Sequence, residues 1–232
     1  MGVLRNGLNW YAKISRCGAR PIPPYEHVVQ IGDPILRRVC EPVPQNEIKS
    51  EKTMKIINKL HYVVDKYNSL GMSAPQIGIN SRIFVMKYTA KQVACVPPEI
   101  IRQRYIKIVP FTVFINPTLK VVDYKKVIYP EACESVKSFV ADVARYNEVE
   151  IKGYNAEGEV VSETFKGWSA RIAQHEMDHL DGKLYTDIMD RKTLSCICWE
   201  EVNLSRGKIN IPFIPDCFDI TNLYSSCILM CV

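Results

Sequence analysis

The chain has 232 residues, of which 47% are hydrophobic and 24% charged, so it can bury a sizeable core and is not globally disordered. It has no apolar run of about 18 residues, so we predict no membrane-spanning helix. The net charge is +5, but residues 1–25 contain four basic residues and no acid, so the rest of the chain is close to neutral. A neutral body argues against direct nucleic-acid binding.

Residues 1–25 form a basic segment that ends in a proline-rich stretch. Apolar and basic residues alternate as far as Arg20, and Pro21, Pro23 and Pro24 follow as a linker. A basic segment without acids is typical of a mitochondrial presequence. We therefore predict a location in the mitochondrial matrix. The alternative is an exposed basic helix without a targeting role.

Two segments have the apolar spacing of helices. Residues 54–67 place isoleucine, leucine and valine side chains on one helical face. Residues 167–182 predict a second helix of three to four turns, with Gly182 as its C-terminal stop.

Four strands are predicted. Residues 81–87 and 111–116 each predict one strand, because they are rich in β-branched and aromatic side chains. Residues 148–165 alternate as the two strands of a hairpin with a turn at 155–158. These strands predict an α+β fold, a single domain of antiparallel β-sheet packed around a C-terminal helix.

The strongest chemical signal is His175-Glu176-Met177-Asp178-His179, the HExxH pattern within the second predicted helix. Positions i and i+4 lie on one helical face, so both imidazoles can reach one tetrahedral metal ion. The glutamate beside the first ligand can accept a proton from the attacking water. The alternative is a pair of surface histidines on an amphipathic helix.

Two histidines leave a third metal ligand to be found, and the spacing leaves two options open. A histidine three residues after Gly182 would complete one metalloprotease pattern, but position 185 is tyrosine. Glu200 or Glu201 would supply a downstream carboxylate ligand. Cys133 would supply an upstream thiolate ligand.

Three further stretches accompany the histidine motif. Residues 31–37 read IGDPILR, residues 71–78 read GMSAPQIG, residues 131–135 read EACES, and the motif itself, residues 174–180, reads QHEMDHL. In this order the four stretches resemble the peptide deformylases, in particular their mitochondrial branch. The resemblance covers residues 27–200.

The resemblance implies a role for each residue of the predicted site. The metal is held by three protein ligands, namely Cys133, His175 and His179. A metal-activated water attacks the formyl carbonyl with Glu176 as general base, and Gln76 and the backbone N–H of Glu134 donate to the developing oxyanion.

The implied reaction removes the N-formyl group from the initiator N-formylmethionine of nascent peptides and releases formate. The resemblance implies one divalent metal ion per chain, with Fe(II) as the metal in the cell and Zn(II), Co(II) or Ni(II) able to occupy the same site. The partners are N-formylmethionyl nascent peptides, which bring the protein transiently near the ribosome. The sequence leaves the oligomeric state open.

Substrate binding is predicted from spacing around the motif. Trp168, Arg171 and Ile172 precede His175 by seven, four and three residues, so we expect them to form the wall of a pocket for the methionine side chain. The alternative for Trp168 is a place in the core. Gly71 is expected to present its backbone to an extended peptide.

Two positions depart from the family pattern beside the expected cysteine ligand. Ala132 replaces glycine, and Glu134 replaces leucine of the bacterial pattern. A carboxylate near a forming oxyanion should oppose it. Neither change removes a metal ligand, the general base or the glutamine donor. We therefore expect activity, although these departures count against an efficient enzyme.

We accordingly predict a deformylase catalytic domain at residues 26–200 and a C-terminal tail at residues 201–232 to which the sequence assigns no role. Two other functions remain open at this point. One is a metalloprotease whose third ligand is Glu200 or Glu201. The other is a non-catalytic, metal-stabilised protein that binds formyl-peptides without cleaving them.

Overall fold

The computed structural model describes residues 21–215, and a six-stranded antiparallel sheet lies at its centre. The strands are β1 (Gly71–Ser73), β2 (Ile83–Tyr88), β3 (Val109–Ala132), β4 (Phe139–Tyr154), β5 (Val160–Lys166) and β6 (Ser195–Cys196). The sheet order is β1-β2-β3-β4-β5, and β6 pairs with β4. The predicted antiparallel sheet is therefore confirmed.

The described part of the chain has two long α-helices and three short ones. These are α1 (Glu51–Lys66), α2 (Ala90–Ala94), α3 (Pro98–Arg104), α4 (Trp168–Leu180) and α5 (Trp199–Leu204). Both helices expected from apolar spacing are present as α1 and α4, whereas the three short helices were not predicted. None of the helices within residues 21–215 is long and apolar enough to cross a membrane.

Helix α1 packs one apolar stripe against the sheet. The Ser50 side chain accepts a hydrogen bond from the backbone N–H of Thr53 and so caps the first turn. The buried side chains Ile57, Leu60 and Val64 join one apolar cluster with residues of β1 and β2. This packing fixes the edge strand β1 next to the site described below.

Helix α4 is buried on nearly all sides because it contacts β1, β2, β4 and β5. It begins after Gly167, where φ is +63° and a Cβ atom would lie 2.4 Å from the carbonyl oxygen of Arg104. It ends before Gly182, where φ is +71° and a Cβ atom would lie 2.9 Å from the Arg37 backbone. Glycine is required at both ends, and this close packing fixes the position of the helix. Helix α5 follows α4 in the chain.

Candidate metal centre

The two histidines of α4 point into the protein interior. Their rings lie one turn apart, with centroids separated by 4.8 Å and planes inclined by 78°. His175 is 2% exposed and His179 is 1% exposed, so neither is a surface residue. The alternative of two surface histidines is therefore wrong.

Cys133 lies directly after β3 and faces the histidine pair. Its Sγ atom is 3.2 Å from Nε2 of His179, and the ligand atoms of the cysteine and the two histidines all lie within 4.8 Å of one another. The metal-ligand cluster found among residues 21–215 consists of these three buried side chains; Glu200 and Glu201, in α5, are outside it. The structure therefore favours the thiolate among the ligand options that spacing left open.

Glu131 holds His175 through the ring nitrogen Nδ1. Its carboxylate lies 2.7 Å from Nδ1 of His175 and accepts hydrogen bonds from Arg145 at 2.6 and 3.1 Å. Arg171 donates to the same carboxylate at 2.8 Å. Burial would raise the pKa of Glu131, but Arg145 and His175 outweigh it and hold that pKa well below its usual range. The charged carboxylate thus fixes the imidazole orientation and leaves Nε2 directed away from it.

The donor set fits a divalent metal ion. Nε2 of His175 is buried and has no hydrogen-bond partner in the described part of the protein, as expected of a ligand atom whose second nitrogen is held by a carboxylate. Burial and the negative charge of Glu176 raise the pKa of the Cys133 thiol, so a thiolate here needs a nearby cation. Burial also lowers the pKa of His179, which keeps its ring neutral for coordination.

Gln76 is held so that its amide nitrogen faces the cluster. Its Oε1 atom accepts hydrogen bonds from the backbone N–H and the hydroxyl of Ser73, at 2.9 and 3.0 Å. Because Oε1 is occupied, Nε2 is directed toward Ser135 Oγ at 3.2 Å and Cys133 Sγ at 3.6 Å. The side chain is 2% exposed, so this donor is preorganised beside the cysteine.

Glu176 lies against Gly71 at the edge of the sheet. A Cβ atom at Gly71 would be 2.4 Å from Oε1 of Glu176, so the glycine leaves the space in which the carboxylate sits. The other oxygen, Oε2, is buried without a hydrogen-bond partner in the described residues. Burial, and then the charge of Glu131, raise the pKa of Glu176 above its usual range. The raised pKa makes the Glu176 carboxylate a stronger base than a carboxylate in water, as a proton acceptor requires.

Replacing Gly71 by Ala should therefore displace the Glu176 carboxylate without removing any metal ligand. Misplacement of a catalytic group by about 1 Å lowers rates substantially, so we expect kcat for formate release to fall about 10- to 100-fold. Metal content and the midpoint of thermal unfolding should stay close to the wild-type values. Full activity of the variant would show that the position of this carboxylate does not limit the rate.

Glu134 is nearly buried and is partly neutralised. Its carboxylate lies 3.6 Å from Nζ of Lys137, and its backbone carbonyl accepts a hydrogen bond of 2.8 Å from Gln30. Burial raises the pKa of Glu134 and Lys137 opposes that effect. The positive charge of Lys137 thus reduces the repulsion that we expected between the Glu134 carboxylate and the developing oxyanion.

The three residues proposed for the methionine pocket have different surroundings. Trp168 and Ile172 belong to the apolar cluster between α4 and the sheet, and the Trp168 ring packs against Tyr129 and the guanidinium of Arg104. The Arg171 guanidinium is bound to Glu131 and to backbone carbonyls of β3 and β4. Arg171 therefore supports Glu131, a contact that the spacing argument did not predict.

Glu131 and Arg145 are the site residues that sequence reasoning missed. Glu131 lies two positions before Cys133 within one of the matched stretches, so its proximity to the ligand was a usable signal. Arg145 is on β4 opposite β3, and no local pattern identifies it.

The comparisons with known proteins agree with this geometry. Residues 25–194 match the family model for polypeptide deformylase. The chain is 39% identical to the human mitochondrial peptide deformylase, over 79% of this chain and 75% of that protein. It is 38% identical to the chloroplastic/mitochondrial peptide deformylase 1A of Arabidopsis thaliana, over 78% of this chain and 67% of that protein.

Two solved structures have the same fold. The Met-Ala-Ser-bound peptide deformylase of Acinetobacter baumannii matches with a TM-score of 0.62 and 27% identity, covering 74% of this chain and 100% of that one. The enzyme from Thermotoga maritima matches with a TM-score of 0.60 and 28% identity, covering 72% of this chain and 98% of that one. With the matched family model and these relatives, the chain belongs to the peptide deformylase family.

Proposed function

We propose that the protein is a metal-dependent hydrolase that removes the N-formyl group from N-formylmethionyl peptides and releases formate. The observation that carries this proposal is the convergence of the ligand atoms of Cys133, His175 and His179. The buried carboxylate of Glu176 lies on the same helix as the two histidines. Three protein ligands leave one position open for water or substrate, as a catalytic site requires. Membership of the deformylase family supports the same substrate class.

The metal would be held by Cys133, His175 and His179, one ion per chain. A bound divalent ion supplies Lewis acidity to the formyl carbonyl and lowers the pKa of the attacking water. Fe(II) is the metal we propose for the cell, and the same ligands suit Zn(II), Co(II) and Ni(II).

The protein groups would divide the remaining chemistry among them. Glu176 takes a proton from the attacking water and returns it to the leaving amine. Nε2 of Gln76 and the backbone N–H of Glu134 donate to the oxygen on which negative charge develops. Because Ser73 fixes the amide of Gln76, this donor needs no reorientation during the reaction.

The peptide would bind along β1. This strand lies at the edge of the sheet and pairs with β2 on one side, so Gly71 can present its backbone to an extended peptide. We propose Trp168, Arg171 and Ile172 for one side of the methionine pocket because of their spacing before His175. The relative from Acinetobacter baumannii binds Met-Ala-Ser, which supports an extended peptide as ligand.

We further propose an organellar protein whose catalytic domain spans residues 26–200 and is organised around the HExxH helix. The mitochondrial and chloroplast relatives support an organelle, and the basic segment at residues 1–25 supports the mitochondrial matrix. Residues 1–20 of that segment and residues 216–232 of the tail lie outside the described residues. The nascent-chain substrate would bring the protein transiently near the ribosome.

Formate release from formyl-Met-Ala-Ser tests the proposed function. The purified protein is prepared without oxygen and loaded with Fe(II) or Co(II), and formate is measured with a coupled dehydrogenase assay. We expect formate and free Met-Ala-Ser in equal amounts. Binding of the formyl-peptide without formate release would instead identify a non-catalytic binding protein.

Replacing Cys133 by Ala tests the ligand set. Loss of a side chain that only hydrogen-bonds to a metal ligand weakens metal binding about 10- to 100-fold. Loss of a direct ligand should therefore weaken metal binding further. The matched control is Cys40→Ala, because Cys40 is also buried but is not part of the cluster of ligand atoms. Metal content after dialysis is the measurement. Wild-type metal content in Cys133→Ala would favour Glu200 or Glu201 as the third ligand.

A further inference from the structure

Two cysteines meet where β6 joins α5, outside the metal centre. The Sγ atoms of Cys196 and Cys198 are 3.3 Å apart. A disulfide requires about 2.05 Å between the sulfurs, so closure needs an approach of roughly 1.3 Å, which rotation of the two side chains can provide. Among the cysteines of residues 21–215, this is the one pair whose sulfur atoms lie close together.

The backbone on both sides of this pair is fixed. Cys196 is paired with Phe139 in the sheet, and the N–H of Ile197 donates to the carbonyl of Ser138 at 2.9 Å. Cys198 precedes α5, and its carbonyl accepts the N–H of Val202 at 3.0 Å. A strand and a helix therefore hold the thiols together.

The two thiols differ in access to solvent. Cys196 is partly exposed, whereas Cys198 is 7% exposed. Burial and the neighbouring Cys196 raise the pKa of the Cys198 thiol. An oxidant from solvent therefore meets Cys196 first, and Cys198 is placed to react with the oxidised sulfur.

We propose that Cys196 and Cys198 form a dithiol site that hydrogen peroxide converts to an intramolecular disulfide. The Cys196 thiolate attacks peroxide, so that an S–O bond forms, the O–O bond breaks, and one water leaves after protonation. The Cys198 sulfur then attacks the sulfenic acid at Cys196, so that the S–S bond forms, the S–O bond breaks, and a second water leaves. Two thiols lose two electrons, and one peroxide is reduced to two waters.

Mass spectrometry of the full chain tests this site. The Zn(II)-loaded protein is used because zinc has no redox chemistry of its own. After treatment with hydrogen peroxide, free thiols are blocked with iodoacetamide and the protein is cleaved with trypsin. The peptide of residues 193–206 contains both cysteines and no other. We expect it to lose both alkyl groups and to weigh two hydrogen atoms less than the dithiol form, and dithiothreitol before alkylation should restore both alkyl groups.

Cysteine variants and an internal comparison complete the test. Cys198→Ser should stop the reaction at a Cys196 sulfenic acid that dimedone labels, and Cys196→Ser should leave Cys198 alkylated. Cys95 is exposed and has no cysteine neighbour in the described chain, so peroxide should close no intramolecular disulfide there at the dose that closes the pair. The proposal is overturned if residues 193–206 stay doubly alkylated while Cys95 is oxidised. It is also overturned if Cys196 becomes a sulfinic acid beside an alkylated Cys198, or is linked to a different cysteine.

Discussion

Glu176→Gln is expected to lower kcat for formate release by about 10²- to 10⁴-fold, the range that a lost general base usually costs. The amide has nearly the shape of the carboxylate, so it fits beside Gly71, but it cannot accept a proton from water. The three proposed metal ligands are untouched, and metal stoichiometry should therefore equal that of the wild type. KM should change little, since the carboxylate acts on water rather than on the peptide.

Glu200→Gln is the matched control for this variant. Glu200 is an exposed glutamate on α5, outside the metal-ligand cluster, so its replacement should leave both metal content and kcat unchanged. Formate release and metal content are measured on the same preparations. An active Glu176→Gln variant would remove this residue from the reaction, and a metal-free one would give it a role in holding the ion.

The two long helices could be predicted because their signals are local. The apolar stripe of α1 repeats over its full length, and α4 combines that spacing with Gly182 at its end. The short helices α2 and α3 lack such a signal. They have 5 and 7 residues, and prolines at positions 97 and 98 interrupt any periodicity between them. Thr89 caps α2, and the apolar cluster between α4 and the sheet packs against partly buried side chains of both helices, namely Val93, Ile100 and Ile101. A short sequence window does not reveal such packing.

The length of β3 was also beyond the sequence argument. Residues 111–116 were predicted as a strand, whereas β3 runs from Val109 to Ala132. Its pairing with β4 shifts register near residues 115–126, and such bulges break the strict alternation that identifies a strand. The length matters for the site, because β3 carries Glu131 and ends next to Cys133.

The candidate site divides in the same way. Spacing predicts that two histidines on α4 share a face, and the resemblance adds the cysteine and the glutamine. The support of His175 requires side chains from different strands: Glu131 on β3 and Arg145 on β4 meet only when the sheet has formed. A sequence pattern shows which residues share a helix face, but it does not show which side chains of two strands meet in the folded sheet.

Glu131→Gln should cause the largest loss of stability among these variants. Removing one member of a buried ion pair costs about 3–5 kcal/mol, because the remaining charges lose their compensation. Arg145 would keep Asp178 at 2.5 Å, but Arg171 would keep no carboxylate among its described partners, which are then backbone carbonyls and the rings of Tyr129 and Trp168. Metal affinity should also fall, by about 10- to 100-fold, since His175 loses the carboxylate that orients it.

The loss of stability expected for Glu131→Gln is larger at neutral pH than in acid. The pKa of Glu131 in the folded protein lies below its ordinary value of 4.5, so its charge stabilises the fold at pH values above 4.5. As the pH falls below that value, the unfolded chain takes up a proton first and the stabilisation is lost. The difference in unfolding free energy between wild type and Glu131→Gln should therefore be complete near neutral pH and shrink in acid.

Urea unfolding of the metal-free proteins measures this difference without a contribution from bound metal. The matched control is Glu148→Gln, since Glu148 is also on the sheet but forms a surface ion pair with Lys166. Such a pair contributes about 0–1 kcal/mol, so the control should unfold almost as the wild type does. If Glu131→Gln matched the control in stability at neutral pH but still bound metal weakly, Glu131 would serve to orient His175 without stabilising the fold.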